Sequence, residues 1–168
     1  MNTKIPIANI IALKKIVEKL NGKNLDWVLT GSCALAIHGI DVPVNDIDIM
    51  TDMESADKIA DALKEFNIEP MHLKIDARFK SYYGLFKINN VKVEVFADLE
   101  VKQNDEWTRT VKSRFTEIKR FEDMTLPLLE LKEEYEAYKS MGRMEKATKI
   151  LAHLEKEESS ARRNSRAS

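Results

Sequence analysis

Three carboxylates in this sequence have the residue type and spacing of a site for a divalent metal ion. Asp46 and Asp48 flank Ile47, and Glu94 lies in a later segment of alternating valines. Side chains alternate between the two faces of a strand, so each segment predicts a strand with its acids on one face. Neighbouring carboxylates repel each other unless a cation lies between them. Oxygen ligands suit a hard ion, so we expect one or two Mg²⁺ ions here.

A glycine–serine turn lies shortly before these acids. The apolar segment 27–30 predicts a buried strand, and the small residues of 33–38 predict a short helix that begins at the turn formed by Gly31 and Ser32. The free N–H groups and the dipole at a helix N-terminus favour a phosphate. Glycine lets such a group approach the backbone closely. We therefore expect Gly31 and Ser32 to bind phosphate.

The remaining elements must position these motifs. Hydrophobic periodicity, caps and turn signals predict helices, strands and a hairpin turn at Asn89-Asn90. The predicted helices are 7–20, a helix capped by Ser55 that runs to 66, 129–141 and 143–157; the predicted strands are 26–30, 46–51, 70–74, 82–88, 91–96, 117–121 and 125–128. We expect a loop with a short helix over 97–116. The expected division is a core over 1–128, a helical segment over 129–157 and a disordered tail over 158–168.

Composition limits the class of protein. The chain has 168 residues, 43% of them hydrophobic and 33% charged, with a net charge of −1. That balance predicts one domain that neither enters a membrane nor binds nucleic acid stably. The single cysteine, Cys33, excludes internal disulfides and favours a reducing cytoplasm; we expect it to be a small buried residue. The three histidines lack the spacing of zinc ligands.

These motifs together resemble a known signature. Thr30-Gly31-Ser32, then Asp46-Ile47-Asp48, then Val93-Glu94-Val95 is similar to the pattern of polymerase-beta-type nucleotidyltransferases. The segment from Tyr135 to Ala147, which contains Gly142-Arg143-Met144-Glu145-Lys146, resembles the closing helices of small prokaryotic members. The resemblance covers about residues 9–155 and points to the minimal branch, which is antibiotic-adenylylating or antitoxin-like.

The resemblance implies an α+β fold, with a mixed sheet, helices packed on one face and C-terminal helices closing the cleft. Asp46 and Asp48 would bridge two Mg²⁺ ions and hold the phosphates of the nucleotide. Glu94 would bind the second ion and help to deprotonate the acceptor, while Gly31 and Ser32 would hold the β- and γ-phosphates. Basic residues would neutralise the triphosphate, and the sequence does not choose among the candidates: Lys119, Arg120, Arg143 and Lys146.

The third acid has an open alternative. Many active members of the resembled superfamily carry Asp at this point, whereas this chain has Glu94. Asp98 shares its parity with Glu94 if the strand continues. Glu94 beside Lys92 would also fit a solvated strand face with an ion pair of little energetic value.

The implied reaction moves a nucleoside monophosphate from an NTP, expected to be ATP, to an acceptor hydroxyl and releases pyrophosphate. The sequence contains no extended domain for tRNA or DNA, so we expect a small molecule or a protein side chain as acceptor. One alternative is a catalytically weak nucleotide-binding or antitoxin-type module that acts through a protein partner. The other is a purely structural protein, which the intact Asp-x-Asp disfavours. A homo-oligomer is compatible with every alternative.

Overall fold

The computed structural model describes residues 5–111 and 116–167. The elements in these ranges alternate between helices and strands along the first half of the chain. They are α1 (Ile7–Leu20), β1 (Trp27–Thr30), α2 (Gly31–Ile37), β2 (Ile47–Thr51), α3 (Met53–Ala62), a 3₁₀ turn (Lys64–Phe66), β3 (Asn67–Ile75), β4 (Phe79–Ile88), β5 (Val91–Gln103), β6 (Glu106–Arg109), β7 (Thr116–Phe121), β8 (Met124–Leu129), α4 (Leu131–Ser140) and α5 (Met144–Arg166).

The strands form one mixed sheet. Its order is β3-β4-β5-β2-β1-β8-β7, and β6 pairs with β5 off this path. The pairs β2–β5 and β1–β8 are parallel, whereas the other pairs are antiparallel. This arrangement confirms the predicted α+β fold with a mixed sheet. It also brings β2 and β5, which carry the predicted acids, next to each other.

One face of the sheet carries the main core. Alternate positions such as Leu29, Ile49 and Val93 belong to a large buried cluster with residues of α1, α2 and α3. On the other face, Val28 and Met50 belong to a smaller cluster. Side chains alternate between the two faces of a strand. Because the core residues of β1, β2 and β5 face α1, α2 and α3, the polar residues between them face the opposite side of the sheet.

The predicted hairpin is present and longer than expected. Asn89 and Asn90 both have positive φ, at 50° and 64°, which is the conformation of a two-residue turn between antiparallel strands. β5 continues through Gln103 and forms a second hairpin with β6 around Asn104 and Asp105. The prediction of a loop and short helix over 97–116 is therefore wrong over residues 97–109 and at residue 116, where β7 begins, and residues 112–115 lie outside the described part.

Two further expectations differ from the structure. Asp52, not Ser55, caps α3, because its carboxylate accepts a hydrogen bond of 2.6 Å from the Ser55 amide. The Ser55 hydroxyl instead accepts from the Asp26 amide at 3.0 Å. The predicted disordered tail is helical as far as Arg166, where α5 ends. Among the described residues, no helix is both long and apolar enough to cross a bilayer.

Candidate active site

A row of polar side chains crosses three neighbouring strands on the face opposite α1, α2 and α3. Thr30 of β1 is in register with Asp48 of β2, and Asp48 is in register with Glu94 of β5. Alternation within each strand excludes these three side chains from the main core. Asp46 lies immediately before β2 and is half-buried. The structure thus brings Asp48 beside Glu94, and the charge of Asp46 acts on Asp48.

Position 31 requires glycine because it lies close to the side chain of Asp48. Its φ is +75°, and a Cβ built on it would lie 2.2 Å from Asp48 Oδ2. No side chain fits in that space, and few adopt that backbone conformation. The turn therefore needs glycine to make room for the Asp48 carboxylate. The sequence instead predicts that a phosphate approaches the backbone at Gly31.

Asp48 lies in an environment that opposes its ionisation. Burial, together with the charges of Glu94 and Asp46, raises the pKa of Asp48 to about 7, and Lys146 acts in the opposite direction. A buried carboxylate among like charges is unfavourable without a cation. The environment of Asp48 therefore suits a carboxylate that binds a cation.

Glu94, rather than Asp98, is the acid beside Asp48. Its Oε1 lies 3.0 Å from Lys92 Nζ and accepts a hydrogen bond of 3.2 Å from the Tyr83 hydroxyl. Asp98 is exposed, has a φ of +54° and lies 3.4 Å from an Arg109 nitrogen. The strand does continue as the alternative required, but Asp98 does not line the cavity of this site, whereas Glu94 does.

A fourth carboxylate, Glu134 of α4, completes the site from the C-terminal helices. Its side chain is buried, with 1% of the residue exposed, although glutamates are almost never fully buried without a partner. Oε1 accepts hydrogen bonds from the Thr30 hydroxyl at 2.6 Å and the Gly31 amide at 3.1 Å. Burial raises the pKa of Glu134 to about 8, against the lowering effect of those two bonds.

This contact changes the interpretation of the turn. The Gly31 amide, expected to face a phosphate, donates to Glu134 instead. Only the i, i+3, i+4 spacing of Glu134 with Leu131 and Tyr138 in α4 could have indicated its inward face. The contact joins the C-terminal helices to the core, as the expected closure of the cleft requires.

The basic candidates separate into two groups. Arg143 lines the cavity that contains Asp48 and Glu94. Lys146 acts electrostatically on Asp48 and Glu134, and its Nζ lies 5.3 Å from the centre of the Tyr138 ring. Lys119 lies instead in a second cavity beside His38 and Glu117. The structure therefore does not bring Lys119 to the acids.

The site opens into a cavity of about 250 Å³. Thr30, Gly31, Asp48, Glu94 and Glu134 lie on its polar side. Ser32 follows directly in α2 and is half-buried. Cys33 is buried, and burial raises the pKa of its thiol to about 12, so it has no thiolate character.

The carboxylates of the site are the type of ligand that a hard cation prefers. All donors are carboxylate oxygens, and burial together with the charges of Glu94 and Asp46 raises the pKa of Asp48. In residues 5–111 and 116–167, no group of three acidic, histidine or cysteine side chains has the arrangement of a metal-binding cluster. Glu94 is held by Lys92 and Tyr83 in this arrangement.

Comparison with known proteins gives the family. The model for aminoglycoside-2''-adenylyltransferases matches residues 12–154, which include the Gly-Ser turn, the Asp-x-Asp strand, Glu94 and Glu134. The chain belongs to this family. Its members are nucleotidyltransferases, as the resemblance in the sequence predicts.

One solved structure supports that assignment, and a second is reported for its similarity alone. A crystal structure of a proposed nucleotidyltransferase from Thermotoga maritima is 32% identical in sequence to this protein and superimposes on it with a TM-score of 0.77. The match covers 91% of this protein and 96% of the Thermotoga maritima chain. The ANT(2'')-Ia structure with adenylyl-2''-tobramycin covers 89% and 97% of the two chains, with 10% identity and a TM-score of 0.46. The comparison with curated proteins finds no match. The first similarity identifies a nucleotidyltransferase fold over nearly the whole chain.

Proposed function

We propose that the protein is an Mg²⁺-dependent nucleotidyltransferase that moves AMP from ATP to the hydroxyl of an acceptor. The observation that carries the proposal is the register of Asp48 with Glu94 on neighbouring strands, beside the turn at Gly31. Family membership supports the reaction class. The nucleotide and the cofactor are our inference.

In the proposed reaction, the acceptor oxygen attacks the α-phosphorus, and the bond from that phosphorus to the bridging oxygen of the β-phosphate breaks. Pyrophosphate leaves, and the hydroxyl proton passes to Glu94. Arg143 and Lys146 offset the negative charge of the phosphates. Mg²⁺ bound by Asp46, Asp48 and Glu94 would polarise the phosphoryl group and stabilise the leaving pyrophosphate.

Ser32 is proposed to donate its hydroxyl to a phosphate oxygen. Gly31 contributes by its lack of a side chain, which leaves room for the carboxylate of Asp48, and not by donating its N–H to a phosphate. Thr30 and Glu134 hold the turn in place by the hydrogen bonds already described. A rigid turn keeps the carboxylates in position before substrate arrives.

The experiment is to incubate the full chain with ATP, Mg²⁺ and a panel of hydroxyl acceptors, and to measure pyrophosphate and the acceptor mass. A gain of one AMP on an acceptor, matched by pyrophosphate and abolished by EDTA, is the expected result. ATP binding without pyrophosphate release across the panel would favour the alternative, a nucleotide-binding module that acts through a protein partner. A mass shift of the protein itself would identify a protein side chain as acceptor.

A further inference from the structure

Two donors meet at one oxygen of the Glu94 carboxylate. The Lys92 ammonium lies 3.0 Å from Oε1, and the Tyr83 hydroxyl donates to the same atom at 3.2 Å. Lys92 precedes Glu94 by two residues on β5, so the two side chains share a face of the sheet. Tyr83 reaches that face from β4, where Leu85 is the residue in register with Glu94. One side of the carboxylate is therefore held by side chains from two strands.

Tyr83 is itself held in place. The residue is 6% exposed. The Lys74 ammonium lies 3.9 Å from the centre of its ring, and the His72 ring packs edge-on against it, with the ring centres 6.2 Å apart. Because these contacts and burial restrict the ring, the hydroxyl keeps its position beside Glu94.

Lys92 is placed to act on Glu94 rather than on a ligand. It is not among the described residues that line the cavity, whereas Glu94 and Tyr83 are. Its side chain is 48% exposed, and an ion pair with such an exposed partner adds little to the stability of a fold. The pair does supply direction, since a charged donor 3.0 Å from Oε1 favours one orientation of the carboxylate.

Glu94 needs this support because of its neighbour. It is in register with Asp48, and the charge of Glu94 acts on Asp48. Like charges repel, so a glutamate that is free to rotate would turn its carboxylate away from Asp48 until a cation bound. Ordering a long side chain also costs conformational entropy. Donors at Oε1 offset both costs before any substrate is present.

We propose that Lys92 and Tyr83 are positioning residues for the transfer step, which hold Oε1 of Glu94 so that Oε2 is presented to the metal and the acceptor hydroxyl. The inference rests on the proposed function, in which Glu94 takes the proton of that hydroxyl. Lys92 touches neither reactant. Glu94 then does not have to rotate into place after substrate binds, and correct placement beforehand lowers the barrier to the reaction.

The kinetic test is Lys92→Met, with Lys87→Met as the matched control. Lys87 is exposed and in register with Lys92 on β4, so the control makes the same chemical change one strand away. With ATP, Mg²⁺ and tobramycin as the acceptor probe, Lys92→Met should lower kcat at least about tenfold and leave the KM for ATP within about threefold, because it misplaces a reacting group without removing a ligand. Lys92→Arg keeps a charged donor and should recover kcat to within about threefold of the wild type. Lys87→Met should match the wild type.

Tyr83→Phe removes the second donor and keeps the ring. Tyr82→Phe is its control, since the Tyr82 hydroxyl donates to Asp57 instead. Tyr83→Phe should lower kcat at least about threefold, a smaller loss because Lys92 still holds Oε1. The effects of Lys92→Met and Tyr83→Phe should both vanish in a Glu94→Gln background, because neither residue then has a base to orient.

A second measurement needs no turnover. NMR of the free protein in EDTA reports whether the Glu94 side chain holds one orientation, because the two γ-protons of a fixed side chain have different chemical shifts and rapid rotation averages them. The separation of these shifts should fall at least about twofold in Lys92→Met and in Tyr83→Phe. It should be unchanged in Lys87→Met and Tyr82→Phe. Circular dichroism establishes that each variant is folded.

The outcomes separate this role from its alternatives. A KM for ATP that rises at least about tenfold in Lys92→Met with unchanged kcat would make Lys92 a phosphate-binding residue and overturn the proposal. Equal kcat in Lys92→Met and Lys87→Met would overturn it too, as would the same separation of the γ-proton shifts in every folded variant. Absence of pyrophosphate release by the wild type across the whole acceptor panel would count against the proposed function instead, and the NMR comparison would then decide the positioning of Glu94 by itself.

Discussion

At Gly31, backbone conformation and available space both exclude a side chain. Gly31→Ala would combine the strain of φ +75° with a Cβ 2.2 Å from Asp48 Oδ2. We expect Asp48 to be displaced and Mg²⁺-dependent ATP binding to fall at least about tenfold, because coordination requires correct ligand placement. Titration calorimetry measures the binding.

Gly22→Ala provides the control for Gly31→Ala. Gly22 has nearly the same φ, +76°, but nothing lies within 4 Å of its added Cβ. It should lose on the order of 1 kcal/mol of stability from the backbone alone and keep its affinity for ATP. Equal affinity in both variants would mean that the contact with Asp48 is unimportant.

Glu134 should make stability depend on pH. Its pKa is about 8 in the fold against a normal value of 4.5, so between these values the folded chain holds a proton that the unfolded chain has lost. The stabilisation from Glu134 is complete below pH 4.5 and is lost as pH rises to about 8. Glu134→Gln keeps an oxygen acceptor but does not titrate. Relative to the wild type, it should therefore gain on the order of 2–4 kcal/mol between pH 4.5 and pH 8.

Urea unfolding in EDTA at several pH values measures this difference. Glu134→Ala is the control, because it leaves the Thr30 hydroxyl and the Gly31 amide without their acceptor. It should lose about 1–3 kcal/mol relative to Glu134→Gln at every pH. A constant difference between wild type and Glu134→Gln across the range would show that the buried carboxyl has a normal pKa.

At the scale of the elements, the register of β2 with β5 supports Glu94 as the proposed third acid. Glu94 is opposite Asp48, whereas Asp98 is exposed beside Arg109. Glu94→Gln should keep ATP affinity within a few-fold and lower turnover by about 10²–10⁴. Asp98→Asn, the same chemical change on the same strand, should retain activity. An inactive Asp98→Asn beside an active Glu94→Gln would reverse the assignment.

The elements also show where sequence reasoning succeeds. Alternating valines before and after Glu94 identify a strand and its buried face, and the two asparagines at 89 and 90 identify the turn, because these signals are local. The pairing of β2 with β5 depends on distant segments, so only the resemblance to a family suggested it. The β5–β6 hairpin was missed because residues 97–103 lack clean alternation.

Glu134 illustrates a different limit. A glutamate in an amphipathic helix is usually solvated, and nothing in its neighbours predicts hydrogen bonds to residues more than a hundred positions earlier. The N-cap at Asp52 was missed for a local reason, since both Asp52 and Ser55 are suitable caps. The α5 helix continues beyond residue 157 although its sequence there has no apolar anchor.

At the scale of the whole molecule, one sheet serves two purposes. Its first face packs against α1, α2 and α3 to form the core, and its second face presents the acids to a cavity that α4 partly covers. The Glu134 contact joins the turn at Gly31 to α4. The turn beside the carboxylates and the C-terminal helices are thus physically connected.

We propose that Asp48 and its neighbours bind a nucleotide through Mg²⁺. Calorimetric titration of ATP into wild type, Asp48→Asn and Asp123→Asn, each with Mg²⁺ and with EDTA, tests it most directly. Asp123 forms an exposed ion pair with Lys14 and provides the same chemical change away from the site. We expect Mg²⁺-dependent binding by wild type and Asp123→Asn, and its loss in Asp48→Asn with equal or higher thermal stability. Unchanged ATP affinity in a folded Asp48→Asn protein would contradict it.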